Sequence, residues 1–258
     1  MVLSPSEIEQ FVTDGFVKLE NAFSSETAAA CREILWGDFG LSPDRPEDWN
    51  EPVMRLGMYG QPPFRAALGS PRLHGAIDQL AGAGRWFAPD ALGSMVVRFP
   101  VGNPWDDGWH LDASFPPPDD PTSHNYFKWR VNYRSRMRSM LLLFLLSDCG
   151  PDDAPTRVRV GSHLPMARQL LAHGEAGISL EDLAQEGFAS SDHCDVALAT
   201  GDAGTVWVLH PLMVHAAQAH HGRKPRFLAQ PGLGWREGPD IETGASPVER
   251  AIRLALER

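Results

Sequence analysis

Trp109-His110-Leu111-Asp112 is the stretch on which the reading of this chain turns. Its imidazole and carboxylate stand at i and i+2, and on an extended backbone those positions share a face, because side chains alternate with period two. Together they offer two ligands to one metal ion. A third ligand from a distant segment would complete the 2-His-1-carboxylate facial set of non-heme Fe(II) oxygenases, which leaves positions open for other molecules. Four histidines downstream compete for that place: His210, His215, His220 and His221. His215 lies in the apolar run Val214-His215-Ala216, where the plain reading is a satisfied core residue. His210 ends the preceding apolar run, and the pair at 220 and 221 falls in a turn. Arg226 favours His215. It comes eleven residues later, across a turn through Gly222, on the next expected strand. A guanidinium there points toward the same cavity and has the fork geometry to hold a carboxylate bidentately. Its plain alternative is a surface salt bridge.

Composition narrows the surroundings of such a site. The 258 residues suffice for a substantial core and fit a single domain. The net charge of -10 argues against nucleic acid or an anionic membrane as a partner, since both select for basic surfaces. Cys31, Cys149 and Cys194 are too few, and odd in number, for a disulfide framework, so a reduced, cytoplasmic setting is expected. The first ten residues lack the basic-then-apolar pattern of a secretory signal. The longest apolar run, Met140 to Leu146, is too short to span a bilayer.

Along the chain, Ser4-Pro5-Ser6-Glu7 predicts a capped helix ending near Gly15. A short strand is expected over Phe16 to Leu19, a helix from Ser24 or Ser25 to about Trp36, and another from Ser70-Pro71. Residues 37 to 63, rich in Pro, Gly and Asp, read as a long surface connection. From Met95 the pattern turns to strands: 95–99, 139–146, 156–160, 196–198, 205–209, 213–217 and 227–229. Short helices interrupt them at 164–172 and 179–185, and Ser246-Pro247-Val248-Glu249 caps a last helix. The expected organisation is one domain. It has helical support over 1–90, a mainly β antiparallel core over 91–235, and a C-terminal helix over 236–258. Pro116, Pro117, Pro118 and Pro121 bar the segment about 114–138 from being a paired central strand, so it reads as a lid insertion.

Taken in order, these motifs resemble the phytanoyl-CoA dioxygenase family of Fe(II)/2-oxoglutarate-dependent oxygenases. The resemblance rests on Asp14-Gly15-Phe16-Val17, His110-Leu111-Asp112 and Gly161-Ser162-His163. It continues through Gly201-Asp202 leading into Thr205 to Leu209, then His215 and Arg226. It implies a double-stranded β-helix (jelly-roll, cupin-like) fold. It also implies Fe(II) held by His110, Asp112 and His215, 2-oxoglutarate as cosubstrate with its distal carboxylate on Arg226, and O2 as oxidant. Met95 and Phe144 fall where the family lines the cosubstrate pocket. The implied reaction is hydroxylation or other oxidation of an unactivated C–H in a small organic substrate, secondary metabolites included, with release of succinate and CO2. The presence of Asp112 speaks against halogenation, because related halogenases leave that ligand position empty. The chain departs from the family at two positions: Ala217 replaces a Ser that helps bind 2-oxoglutarate, and His220 stands in place of an Asn.

Around the site, Trp109, Phe115, Trp129 and Arg134 are candidates for the substrate pocket, with Trp105 and Tyr126 nearby. Arg134, Arg136 and Arg138 alternate and would share a face on a strand, either gripping a substrate anion or answering the acids at 106, 107, 119 and 120. Two other functions compete. One is a non-catalytic or other-metal jelly-roll binding protein. The other is a zinc site from Cys149, His193 and Cys194, which lacks any recognised ligand spacing. A small-molecule substrate and a monomer or homodimer complete the expectations.

Overall fold

A computed structural model describes residues 1–257. Its helices are α1 (Pro5–Asp14), α2 (Ser25–Phe39), α3 (Pro62–Leu68), α4 (Pro71–Ala81), α5 (His163–Leu171), α6 (Leu180–Glu186) and α7 (Pro247–Leu256). The strands are β1 (Phe16–Leu19), β2 (Val53–Leu56), β3 (Trp86–Phe87), β4 (Met95–Arg98), β5 (Arg130–Val131), β6 (Arg138–Leu145) and β7 (Arg157–Arg159), followed by β8 (Ile178–Ser179), β9 (Val196–Leu198), β10 (Val206–Leu209), β11 (His215–Ala216), β12 (Arg226–Ala229) and β13 (Gly232–Trp235). Helix starts follow local chemistry. Ser4 and Ser246 each accept from the backbone N–H three residues on, while Glu7 and Glu249 reach back, so both capping boxes form. Gly15 stops α1 in the left-handed conformation at φ 85°.

All strand pairs are antiparallel. The large sheet runs β1-β10-β6-β12-β4-β2, with β13 joining β6 to β3; a second sheet is β11-β7-β9. Period-two alternation divides the large sheet into two faces. Leu142, Phe144, Val206, Val208, Val97, Phe227 and Ala229 pack against the helices. Leu141, Leu143, Leu145, Trp207, Leu209 and Leu228 form a second cluster with Val158 of the smaller sheet and Ala199 just past β9. This second cluster is the interior between the sheets, and it is where the candidate site opens. Helices α1, α4 and α5 each pack on α7 and close the other face.

The helical first third does more than support the core, because β1, β2 and β3 extend the large sheet. Strand β2 lies within residues 37–63, expected as a surface connection, and pairs with β4 at the sheet edge. Strand β13 was not anticipated, since Gly232 and Gly234 erase its hydrophobic alternation. Among the described residues no helix is long and apolar enough to cross a membrane.

Candidate metal centre

His110 and Asp112 lie on an irregular segment in which only His110 pairs. Its backbone N–H donates to the His215 carbonyl at 2.9 Å, and the His215 N–H returns the bond at 3.0 Å. This bridge sets the two imidazoles side by side, with ring centroids 4.3 Å apart. Asp112 Oδ1 lies 4.0 Å from His215 Nε2. One ligand atom from each of the three residues falls within 4.8 Å of the others, and no other group of His, Cys, Asp or Glu among the described residues gathers in this way.

The tautomers suit a metal. His110 Nδ1 lies 3.0 Å from the Gly108 carbonyl and His215 Nδ1 lies 3.0 Å from the Met213 carbonyl. A carbonyl only accepts, so each Nδ1 holds a proton and each Nε2 is the nitrogen left to face a metal. Burial, and then His110, push His215 down to about 4, so its imidazole is neutral near pH 7. Burial alone would raise the Asp112 carboxyl, but Arg138 and the two histidines together hold it below the ordinary value. The donor set is therefore two imidazoles and one carboxylate, which fits a divalent iron ion.

Arg138 reaches the site through an irregularity. A bulge where β13 meets the start of β6 pairs Gly234 with Arg138 but Leu233 with Met140. The extra residue turns Arg138 onto the interior face shared by Leu141 and Leu143. Its guanidinium donates to Asp112 Oδ2 at 3.2 Å and to the Ala113 carbonyl at 2.6 Å. Gly232 leaves the room, since a Cβ there would lie 2.5 Å from Arg138 Nη1.

Arg226 sits on the same interior. It pairs with Arg98 across β12 and β4, and Leu228, two residues on, belongs to the cluster between the sheets. His215 pairs with Val158 of that cluster, so both groups face one space. Arg226 is 2 % exposed. Its Nη1 donates to the Ala154 carbonyl at 2.7 Å, its Nε has no partner, and no acid of the described residues pairs with it. Burial and then Arg98 push it down to about 10, yet it remains charged at neutral pH.

Other expected site residues are placed differently. Met95 and Phe144 both pair with Ala229, so they project to the helix-side face, opposite Arg226. Phe144 packs on Phe23 there. The structure does not bring them to the metal site, because the register sets their parity against it. Residues 133 to 137 form turns rather than strand, so Arg134, Arg136 and Arg138 share no face. Arg134 pairs with Glu175 and Glu242. Arg136 covers the ring of Phe115, which is buried. Trp109 lies between Arg157 and Arg159, whose guanidinium carbons are 4.8 and 4.4 Å from its ring. Trp129 donates to the Ser123 carbonyl and packs on Tyr126 within the segment 114–138. Asp106 answers Arg98 and Arg55, not the arginines at 134 to 138.

Two of the competing histidines are occupied, and His221 lies in the exposed turn outside the cluster. His210 is fully buried against the Val248 carbonyl and the ring of His163. His220 accepts from the Gly222 N–H and donates to the Lys224 carbonyl. Cys149, His193 and Cys194 do not assemble: Cys194 approaches His193, while Cys149 is buried beside the Asp153 carbonyl. The sequence singles out Arg138 only as one of three alternating arginines, not as a partner of Asp112, and Arg157 escapes the sequence reading altogether. Arg157 donates to the Ala217 carbonyl through Nε at 3.0 Å and Nη2 at 2.8 Å, and to the Asp107 carbonyl at 2.7 Å. It thereby ties the segment before His110 to the segment after His215. No spacing signal marks Arg157.

Comparison with known proteins bears on the fold and the family. The chain is similar in fold to EctD from S. alaskensis, solved with 2-oxoglutarate and 5-hydroxyectoine, at 19% identity and TM-score 0.59 over 92% of this chain and 78% of that one. It is similar to HygX from Streptomyces hygroscopicus, solved with nickel and 2-oxoglutarate, at 19% identity and TM-score 0.53 over 90% and 87%. It also resembles the hypothetical protein JW0805 from Escherichia coli at 14% identity and TM-score 0.61 over 92% and 70%. At these identities the likeness is one of fold. No curated protein sequence matches the chain. The family model described as phytanoyl-CoA dioxygenase matches residues 11–228. With that match covering most of its length, the chain belongs to the phytanoyl-CoA dioxygenase family.

Proposed function

We propose that this protein is an Fe(II)- and 2-oxoglutarate-dependent oxygenase that oxidises an unactivated C–H bond of a small organic substrate. The observation that carries the reading is a buried guanidinium without an acid, Arg226, on the same interior as a three-ligand set with open positions. A buried charge demands a counter-charge, and a dicarboxylate that also chelates the metal supplies one. Two neighbours in fold, EctD and HygX, were solved with 2-oxoglutarate, which supports this choice of cosubstrate. We read the two facing sheets as a double-stranded β-helix that presents the ligands from its interior.

His110, Asp112 and His215 would hold the iron. When bound, Fe(II) with 2-oxoglutarate and O2 supplies the oxidising chemistry that releases succinate and CO2 and attacks the C–H bond. The carbonyls of Gly108 and Met213 aim each Nε2 at the metal position, and Arg138 orients the carboxylate of Asp112. Arg226 fixes the distal end of the cosubstrate, and the buried interior around Leu143, Leu145 and Leu228 limits water. The segment 114–138, which begins beside Asp112 and ends on Arg138, is positioned to border the substrate.

The test is an anaerobic titration of the purified protein with Fe(II) and then 2-oxoglutarate. A visible metal-to-ligand absorption band is expected, and Asp112→Ala abolishes both the band and succinate release. A wild-type protein without the band, or an Asp112→Ala protein that still releases succinate, overturns the proposal.

A further inference from the structure

Arg226 is not alone. Arg98 stands directly opposite it on β4, so both side chains leave the sheet on the same face. Arg98 is 3 % exposed, and like Arg226 it carries a buried Nε with no hydrogen-bond partner. Unpaired buried donors are rare, and two on facing residues point to a missing acceptor. The local acids do not supply it. Asp106 receives Arg98 Nη2 on both oxygens, at 2.8 and 2.9 Å, and is shared with Arg55. Two buried guanidiniums therefore face one carboxylate, which leaves one positive charge over.

Neither residue 217 nor His220 completes an anion seat. Position 217 is Ala and offers no hydroxyl. His220 has one ring nitrogen accepting from Gly222 and the other bound to the Lys224 carbonyl, so neither is free to donate elsewhere. It lines a small recess with Arg98 and Gln218, which places Arg98 at the edge of this region. The free Nε of Arg98 is the donor that remains. Burial pulls Arg98 below its ordinary value, and burial then Arg98 do the same to Arg226; an anion between them relieves that cost.

We infer that Arg98 and Arg226 form one two-guanidinium seat for the distal carboxylate of the cosubstrate, with Asp106 holding Arg98 in place. The inference rests on the proposed cosubstrate and adds to it a second anchoring residue. Arg98 takes over, from the strand facing β12, the part of the anchor that the alanine at 217 cannot supply.

Isothermal titration of the Ni(II)-loaded protein reads binding without turnover. It compares 2-oxoglutarate with 2-oxovalerate, which keeps the chelating 2-oxo acid and replaces the distal carboxylate by a methyl group. Wild-type protein is expected to prefer 2-oxoglutarate strongly. Arg98→Met is expected to weaken 2-oxoglutarate binding about 10- to 100-fold, the loss that follows a charge-assisted hydrogen bond, and to leave 2-oxovalerate within about twofold. Arg98→Lys restores part of the preference and keeps a charge beside Asp106 should the Met variant fold poorly, which thermal melting shows. An Arg98→Met or Arg98→Lys protein that keeps the full wild-type preference, or that loses both ligands equally, overturns the role of Arg98. A wild-type protein without any preference overturns the cosubstrate reading itself.

Discussion

Arg157→Met is the sharpest test of how the metal centre is held. Arg157 touches no ligand side chain. It donates three hydrogen bonds to two carbonyls, those of Ala217 and Asp107, and so joins the segments that carry His215 and His110. Methionine keeps most of the aliphatic stem but removes the three donors and the guanidinium that stacks on Trp109, a contact Arg159 still makes from 4.4 Å. A charged donor is worth about 1.5 to 3 kcal/mol when well buried, and the half-buried position of Arg157 reduces each bond to below about 1 kcal/mol. Three such bonds give about 2 kcal/mol of preorganisation, or roughly a 30-fold weaker metal affinity at about 1.4 kcal/mol per decade. The His110–His215 backbone bridge remains and keeps the loss from being complete. Titration of Ni(II) into wild-type and Arg157→Met protein, followed by tryptophan fluorescence and by calorimetry, measures the change. An affinity within about twofold of wild type, in a variant that melts like wild type, refutes the claim that this clamp sets the ligand geometry.

Two further outcomes follow from the buried packing of His163 and Gly15. His163 is pushed down to about 4 by burial, whereas the unfolded chain protonates near 6.5, so the unfolded state takes up a proton the fold refuses. Stability of the metal-free protein therefore falls as pH drops from about 6.5 to about 4, by about 3 kcal/mol from this residue. Denaturant titrations across that range check it: His163→Gln is expected to flatten the slope, and an unchanged slope refutes the assignment. Gly15→Ala is expected to destabilise the fold by about 3 kcal/mol, because a Cβ at φ 85° would lie 2.2 Å from Met213 Sδ and 2.5 Å from His163 Nδ1. Urea unfolding measures this, and a loss below about 1 kcal/mol sinks the packing account.

Local chemistry made much of this protein legible from its residues. Ser4 with Glu7, and Ser246 with Glu249, announce their helix starts because the capping atoms lie within three residues of one another. The β-rich centre shows in short apolar runs, and the His110-Leu111-Asp112 set with His215 and Arg226 shows in order and spacing. Other features are non-local and appear only once strands pair. Parity against β12 decides that Met95 and Phe144 face the helices while Arg98 faces the interior with Arg226. A one-residue bulge turns Arg138 onto Asp112, and a turn at 133 to 137 sends Arg134 to Glu175 and Glu242 instead. In each case a shift of one position in register moves a side chain to the other face of a sheet, and single-chain periodicity does not carry register. The three candidate ligands could be read from residue type and spacing, whereas the groups packed around them, Arg138, Arg157 and Arg98, were placed by tertiary pairing.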